Sequence, residues 1–546
     1  MTLFFSFVVA TFVTMVLIPL TVRLAERLHA ADIPDARKVH QMPMPRLGGL
    51  AMASGAVLPL IIWASPQREV VAFLCGVAII VFSGLWDDIR RLDYRLKFLG
   101  QIFAVLVVVL YGGVVIKYLP FVQLDPLPSY VAIPLTVLAL VGVTNAINLA
   151  DGLDGLAGGI TLLALAAIAV LAYMTPDAGF VLLATVSVIG SILGFLRFNT
   201  YPARIFMGDG GSQFLGFCAG VLAVTLTQEA NTALSPALPL LILGLPILDT
   251  LLVMGERLYE GRSPFVADRK HIHHRLLALG FDHYEAVFAI YVLQSTLLLA
   301  AYFLRFESDW LIVTLYLLFC VGLVAFLKVA TASGWRAHSH AHGRRTPVIP
   351  RWVRWLSTDQ RLLKAAFLSA TIAVPAFLFL GVFFVASVPR DIGALAAGLL
   401  GLLVAFFYRY RHKPSNIVER ASAYISGICV IYLVQVKPAT LADLSLYCTI
   451  LFVAMAVAVV ICFRVGKERF RITPMDFLVI FIAIVIPNLP ELNFNTQHLG
   501  IGVAMIIVLF YSIEIVFNNL WRHWNVMRFT TYITLAVLGL RGVTGA

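Results

Sequence analysis

Charge is scarce in this chain. Asp, Glu, Lys and Arg make up 13% of its 546 residues, against 60% hydrophobic residues. Apolar runs of about 18 to 22 residues recur along it, long enough to cross roughly 30 Å of hydrocarbon as helices, which is the pattern of a polytopic α-helical membrane protein. Cysteine is equally sparse. Cys75, Cys218, Cys320, Cys429, Cys448 and Cys462 all lie in apolar runs without C-x-x-C spacing, so they read as packing residues and exclude a thiolate metal site. The first run, "TLFFSFVVATFVTMVLIPL", has no positive flank before it and no small-residue cleavage site after it; it is expected to be a retained span and not a cleaved leader. The formal net charge of +11 would otherwise suggest nucleic acid. The basic residues, however, sit in particular loops between runs, as the positive-inside rule explains, and no nucleic-acid partner is expected.

An all-α, polytopic fold is expected, with spans near 2–22, 47–65, 69–86, 98–117, 129–148, 157–175, 178–196, 211–228, 236–256, 284–305 and 309–328. Every second loop carries the cations, for example "RLAERLHAADIPDARKVHQMPMPR" and "ERLYEGRSPFVADRKHIHHR", whereas "ASPQREV" and "MTPDAG" carry few. The rich loops are expected to face the cytoplasm and the N-terminus to face out. Residues 331–362 form a basic linker. Beyond it a second block, 363–546, has runs near 363–386, 390–407, 422–436, 445–463, 473–488, 498–518 and 529–543, the last short enough to lie at the interface. That gives about eleven helices in the first block, 1–330, and six or seven in the second. No internal repeat relates the blocks, and the second shows almost no ionisable residue deep in its runs.

The unusual polar residues fall on one side. Asp87 and Asp88 close the third run in "GLWDDIRRLDYRLKFLGQ"; adjacent carboxylates repel, so a metal or the Arg90, Arg91, Arg95 and Lys97 cluster is expected beside them, unless they are only an aqueous helix end. In "NAINLADGLDGLAGG", Asn145, Asn148 and Asp151 advance by three and share one arc of a helix before Gly152 and Gly155 release it. Hard oxygen donors of this kind suit Mg²⁺; helix capping is the alternative. "RIFMGDGGSQFLG" sets Asp209 among glycines that let backbone N–H groups approach an anion, with Asp209 itself suited to a metal. "SPFVADRKHIHHRLLALG" holds His271, His273, His274 and Arg275. No Cys or carboxylate set completes a zinc site there, so an anionic or hydroxyl-rich ligand fits better. Asp249, inside an apolar run, reads as a buried structural or cleft-shaping carboxylate.

Together with "RKVHQMPMPRLGG" and "NTYPARIFMGDGGS", these motifs appear over about residues 1–330 in the order found in the polyprenyl-phosphate N-acetylhexosamine-1-phosphate transferases. The chain most resembles bacterial undecaprenyl-phosphate N-acetylglucosaminyl-1-phosphate transferases. Ile272 interrupts the adjacent histidines of the muramoyl-pentapeptide branch. The resemblance implies Asp209 and Asn148 as ligands of Mg²⁺, with Mn²⁺ as an alternative, and Asp151 beside them. Lys97 would contact the pyrophosphate, and Asp88, next to Asp87, would face the lipid phosphate. Phe206 would stack on uracil, Asp154 would read its edge and Asn199 would line the same end. His271, His273, His274 and Arg275 would meet the sugar and diphosphate. Ala267 departs from the proline that relatives often carry and puts the loop shape in doubt.

The implied reaction moves a sugar 1-phosphate, most simply GlcNAc 1-phosphate, from a UDP-N-acetylhexosamine to undecaprenyl phosphate and releases UMP, starting cell-surface glycan synthesis. It would take place at the cytoplasmic face of a bacterial inner membrane, with membrane lipid around the protein and a homodimer admitted. The rival class is a secondary transporter, which would place its charges near the midplane and often shows repeats.

Overall fold

With no water in hydrocarbon to satisfy backbone N–H and C=O groups, each apolar run must close its own hydrogen bonds as a helix. The computed structural model describes residues 2–32, 43–90, 92–121, 126–263, 270–337, 360–409, 416–436, 444–465, 478, 496–519 and 524–544. Among the described residues, 12 helices are long and apolar enough to cross a membrane, and Gly48–Trp63 is a shorter apolar helix. The chain is an all-α polytopic membrane protein. It forms two compact units, Met1–Ala341 with Thr473–Leu478, and His342–Ile472 with Val479–Ala546.

The first unit contains α1 (Thr2–Arg27), α2 (Gly48–Trp63), α3 (Arg68–Arg90), α4 (Tyr94–Leu106), α5 (Ser129–Ala150), α6 (Leu156–Tyr173), α7 (Gly179–Asn199), α8 (Gly208–Thr225), α9 (Leu238–Ile242), α10 (Gly244–Tyr259), α11 (Ile272–Ala278), α12 (His283–Phe303) and α13 (Asp309–Ala332). A two-residue antiparallel pairing, Ala31–Asp32 with Met44–Pro45, ties the loop that precedes α2. At the centre stands α8, packed against α2, α3, α5 and α6. Small residues admit those neighbours. A Cβ on Gly84 of α3 would lie 2.3 Å from the Gly210 Cα, and one on Gly49 of α2 would lie 2.3 Å from the Gly211 Cα. The glycines of "GDGGS" therefore serve backbone-to-backbone packing.

The run expected to span 236–256 is broken. Its helices α9 and α10 meet at Leu243, just before Gly244 and Pro246, and Pro246 has no N–H to give the Ile242 carbonyl. Neighbouring side chains satisfy the freed carbonyls: Gln294 donates to Ile242 O at 2.8 Å and Tyr316 donates to Gly244 O at 2.9 Å.

In the second unit the helices are Gln360–Phe384, Arg390–Arg409, Asn416–Val436, Leu444–Val465, Thr496–Asn519 and Trp524–Thr544. The last run is longer than the sequence implied, because the helix begins before the apolar stretch, and Val526–Thr544 is long enough to span. The ionisable residues at the ends of these helices are paired. Glu514 pairs with Arg420 at 2.7 Å and accepts from the Tyr424 hydroxyl, while Glu419 pairs with Arg528 at 2.7 Å. Both glutamates are buried. Each sits near a helix end, where a partner of opposite sign makes burial tolerable. The run at 473–488 (apart from Leu478), most of the 331–362 linker, and Ala267 lie outside the described residues.

Candidate active site

The site forms where α3, α5 and α7 end and α4 and α8 begin. At its centre Lys97 of α4 bridges two carboxylates, with Nζ 2.8 Å from Asp87 Oδ2 and 3.0 Å from Asp209 Oδ2. Asn148, in the last turn of α5, donates from Nδ2 to Asp209 Oδ1 at 2.7 Å and to Ser212 Oγ at 2.7 Å. The helical period in the sequence thus brings Asn148 to Asp209. Asn145, one turn earlier, is instead paired with Gln101.

Asp88 occupies a different place from the one expected of a group facing a lipid phosphate. Its side chain is fully buried, and its two oxygens accept the backbone N–H groups of Asp209 at 2.9 Å and Gly210 at 3.1 Å. The start of α8 does cradle an anion, and that anion is Asp88 itself. Gly208, at φ +70°, makes the turn; a Cβ there would meet Arg46 O at 2.1 Å and Asp88 Oδ2 at 2.5 Å. Asp87 is tethered through its other oxygen, which accepts the Leu92 N–H at 2.8 Å.

Arg46 completes the cluster, and no sequence signal singled it out, since an arginine in a cation-rich loop reads as a topology determinant. Its guanidinium lies 3.7 Å from Asp88, 4.0 Å from Asp209 and 3.6 Å from Asp32. Burial alone would lower its pKa, but Asp88, Asp209, Asp32 and Asp151 together raise it. Asp151 caps the end of α5. Loss of solvent first and, next, the charge of Asp209 push its pKa up to about 7. When ionised, Asp87, Asp88, Asp151 and Asp209 carry four negative charges against two positive ones on Lys97 and Arg46, so two remain uncompensated even without Asp32. This donor set fits a small divalent ion, which needs only one or two carboxylates besides water and substrate phosphate. Among the described residues no three His, Cys, Asp or Glu form a ready-made cage.

A second group lies beyond the loop that follows α5. Asn199 donates to Ile205 O at 2.9 Å and accepts the Gly155 N–H at 3.0 Å, tying two loops together and leaving it buried. Asp154 accepts the Ala203 N–H at 2.9 Å. Phe206 is half-buried, with its N–H on Pro45 O at 2.8 Å and its carbonyl accepting from Gly48 at 3.0 Å. Asp249 proves to be the anchor of the histidine loop: it holds His271 Nδ1 at 2.9 Å and the Ile272 N–H at 2.7 Å. His273 is buried against the α5–α6 loop, where a Cβ on Gly152 would come within 2.2 Å of its Nε2. Burial first, and then the neighbouring His274, lower the His273 pKa to about 3, so the imidazole is neutral. His274 is half-buried, and Arg275 is held by Glu256 at 2.7 Å and by Lys270 O at 2.6 Å. Of the four, His271 and His273 are buried and His274 and Arg275 retain partial exposure.

Residues 70–227, which include Asp87, Asp88, Lys97, Asn148, Asp151 and Asp209 but not Arg46 or Asp32, match the profile of glycosyl transferase family 4. The chain is 37% identical over 329 residues to a probable undecaprenyl-phosphate N-acetylglucosaminyl 1-phosphate transferase of Bacillus subtilis, covering 59% of this chain and 90% of that protein. It is 37% identical over 303 residues to a decaprenyl-phosphate N-acetylglucosaminephosphotransferase of Mycobacterium tuberculosis, covering 49% and 74% respectively. With the undecaprenyl-phosphate alpha-N-acetylglucosaminyl 1-phosphate transferase of Escherichia coli K12, identity is 29% over 312 residues, covering 54% and 83%. The chain belongs to the polyprenyl-phosphate N-acetylglucosamine-1-phosphate transferases, a family of membrane glycosyl-1-phosphate transferases.

Proposed function

We propose that this enzyme transfers N-acetylglucosamine 1-phosphate from UDP-N-acetylglucosamine to undecaprenyl phosphate, releasing UMP, at the cytoplasmic face of a bacterial inner membrane. The observation that carries this reading is the gathering of four carboxylates around Lys97 and Arg46 at the end of the bundle where the cation-rich loops lie. A soluble nucleotide sugar and a membrane-anchored phosphate can meet only at such a boundary. A transporter would need its charges nearer the midplane.

In the reaction, an oxygen of the acceptor phosphate attacks the sugar-linked phosphorus, the bond from that phosphorus to UMP breaks, and the anomeric C–O bond is untouched, so the α configuration is kept. The acceptor's second pKa is about 6, so it needs little help from a base near neutral pH. Lys97 and Arg46 offset the charge of the diphosphate and the departing UMP. Asp209 and Asn148, with Asp151, are the residues that would hold Mg²⁺, or Mn²⁺ in its place. When bound, the ion supplies further neutralisation of the phosphate oxygens. Asp88 acts through the backbone, holding the start of α8 so that Asp209 faces Lys97 and Asn148. Asp154 and Phe206 are assigned to the uracil end with Asn199 as their support, and His274 and Arg275 to the sugar and diphosphate with His271 and His273 behind them.

The test is to incubate the purified full chain with a panel of UDP-sugars, undecaprenyl phosphate and Mg²⁺, and to identify the lipid product by mass spectrometry. UMP and an undecaprenyl diphosphosugar are expected in equal amounts, with loss of both on chelation by EDTA. UMP release that does not need the lipid phosphate, or none from any UDP-N-acetylhexosamine, would refute the assignment. Within this reading, Asp249→Ala is expected to release His271 and the start of α11 and to lower kcat/KM for the donor by about a hundredfold, as misplaced contacts do, while KM for the acceptor stays unchanged. Equal weakening of both substrates would place the histidine loop elsewhere in the mechanism.

A further inference from the structure

One helical turn deeper than the site, three helices each carry a carboxamide. On α4 Gln101 follows Lys97 by four residues, on α5 Asn145 precedes Asn148 by three, and on α8 Gln213 follows Asp209 by four. Since α5 runs antiparallel to the other two, all three offsets lead away from the site in the same direction. Asn145 and Gln101 already meet: Asn145 Nδ2 donates to Gln101 Oε1 at 2.6 Å and Gln101 Nε2 to Asn145 Oδ1 at 3.4 Å. Gln213 is fully buried, yet neither its Nε2 nor its Oε1 has a hydrogen-bond partner among the protein groups. Its level is bracketed by its neighbours on α8. Asp209 and Ser212 bond to Asn148, and a Cβ on Gly216 would lie 2.7 Å from the Thr144 Cα.

A buried amide without partners is costly, and Met would fill the same volume without that cost. From Phe214 to Val224, α8 is apolar throughout, so a glutamine here needs a polar occupant beside it. We propose that buried water joins Gln213 to the Gln101–Asn145 pair in one carboxamide layer, and that this layer positions Lys97, Asn148 and Asp209 above it. Water suits a neutral polar chamber in which it finds two to four partners. Amides suit the place because a further carboxylate would add to the four above it. The Gln101–Asn145 bond holds α4 to α5, and the bridge to Gln213 holds both to α8, fixing the distances from Lys97 and Asn148 to Asp209.

Only the kinetic arm of the test rests on the transferase reading. In the purified full chain, Gln213→Met, Gln101→Met and the double variant are compared by thermal unfolding and by transfer kinetics. Each single change is expected to lower Tm and to lower kcat about tenfold through misplacement of the site above, with KM for the donor little changed, and the double variant should lose no more than the worse single one. Gln213→Met that keeps or raises Tm overturns the proposal, because it would have removed an amide that nothing contacts; additive losses, or a lower Tm with kcat intact, overturn it as well. Should the variants fail to fold, a density map of the wild-type chain that resolves solvent decides: a peak within hydrogen-bond distance of the Gln213 amide is required, and a dry amide ends the idea. A wild-type chain that transfers nothing from any donor would refute the proposed reaction while leaving Tm coupling and the map to judge the layer.

Discussion

Asp209→Asn is expected to reduce transfer by about a thousandfold or more without lowering Tm. Asp209 is the one carboxylate that Lys97, Asn148 and Arg46 all approach, at 3.0, 2.7 and 4.0 Å. Asparagine keeps its shape and leaves the backbone N–H groups at the start of α8 in their bonds to Asp88. Lys97 retains Asp87 at 2.8 Å, so no cation is stranded, and Asn148, which is only half-buried, can turn its amide so that an oxygen meets the new NH₂. What is lost is a charge that matters only when phosphate, and the ion assigned to this place, are present. UMP release and a melting curve on the same preparation check both halves. Activity near wild type at saturating Mg²⁺ would take Asp209 out of the metal role.

Asp88→Asn should fail differently, losing both stability and activity. The Asp88 side chain is fully buried and accepts two N–H groups. An asparagine offers one oxygen, and its NH₂ would then face the second N–H, donor against donor. An unpaired buried donor costs about 1–3 kcal/mol, and the negative charge that complements the α8 N-terminus is gone. Tm is expected to fall by several degrees, with turnover down about a hundredfold as Asp209 shifts. A wild-type Tm would show that these two bonds do not hold α8. Recovery of activity at raised pH with Tm unchanged would give Asp88 the task of taking a proton.

The contrast between these carboxylates shows where sequence reasoning stops. The spans were legible because hydrocarbon thickness sets run length, and the grouping of Asp87, Asp151 and Asp209 because loop charge alternates. Asn148 reaching Asp209 follows from helical periodicity once both ends are placed on one side. The task of Asp88 was not legible: adjacent carboxylates look alike in one dimension, and which of them turns to a neighbouring helix depends on how closely Gly84 lets α3 approach Gly210. Asn199 reads as a ligand for the same reason, though both ends of its amide hold backbone. Arg46 was hidden by its cation-rich surroundings. The break at Leu243 had its cue in Gly244 and Pro246, but average hydropathy smooths over such interruptions.

The paired charges of the second unit bear on how the chain is made. Arg420 and Glu514 are separated by 94 positions, and Glu419 and Arg528 by 109. At the usual pace of synthesis, about 5–20 residues per second, helix 416–436 emerges several seconds before either distant partner exists. During that interval Glu419 and Arg420, adjacent on one helix and pointing in different directions, await partners that are not yet made. Helix 416–436 can therefore reach its paired state only after Thr496–Asn519 and Trp524–Thr544 have been made, so these pairs close last in the assembly of the second unit.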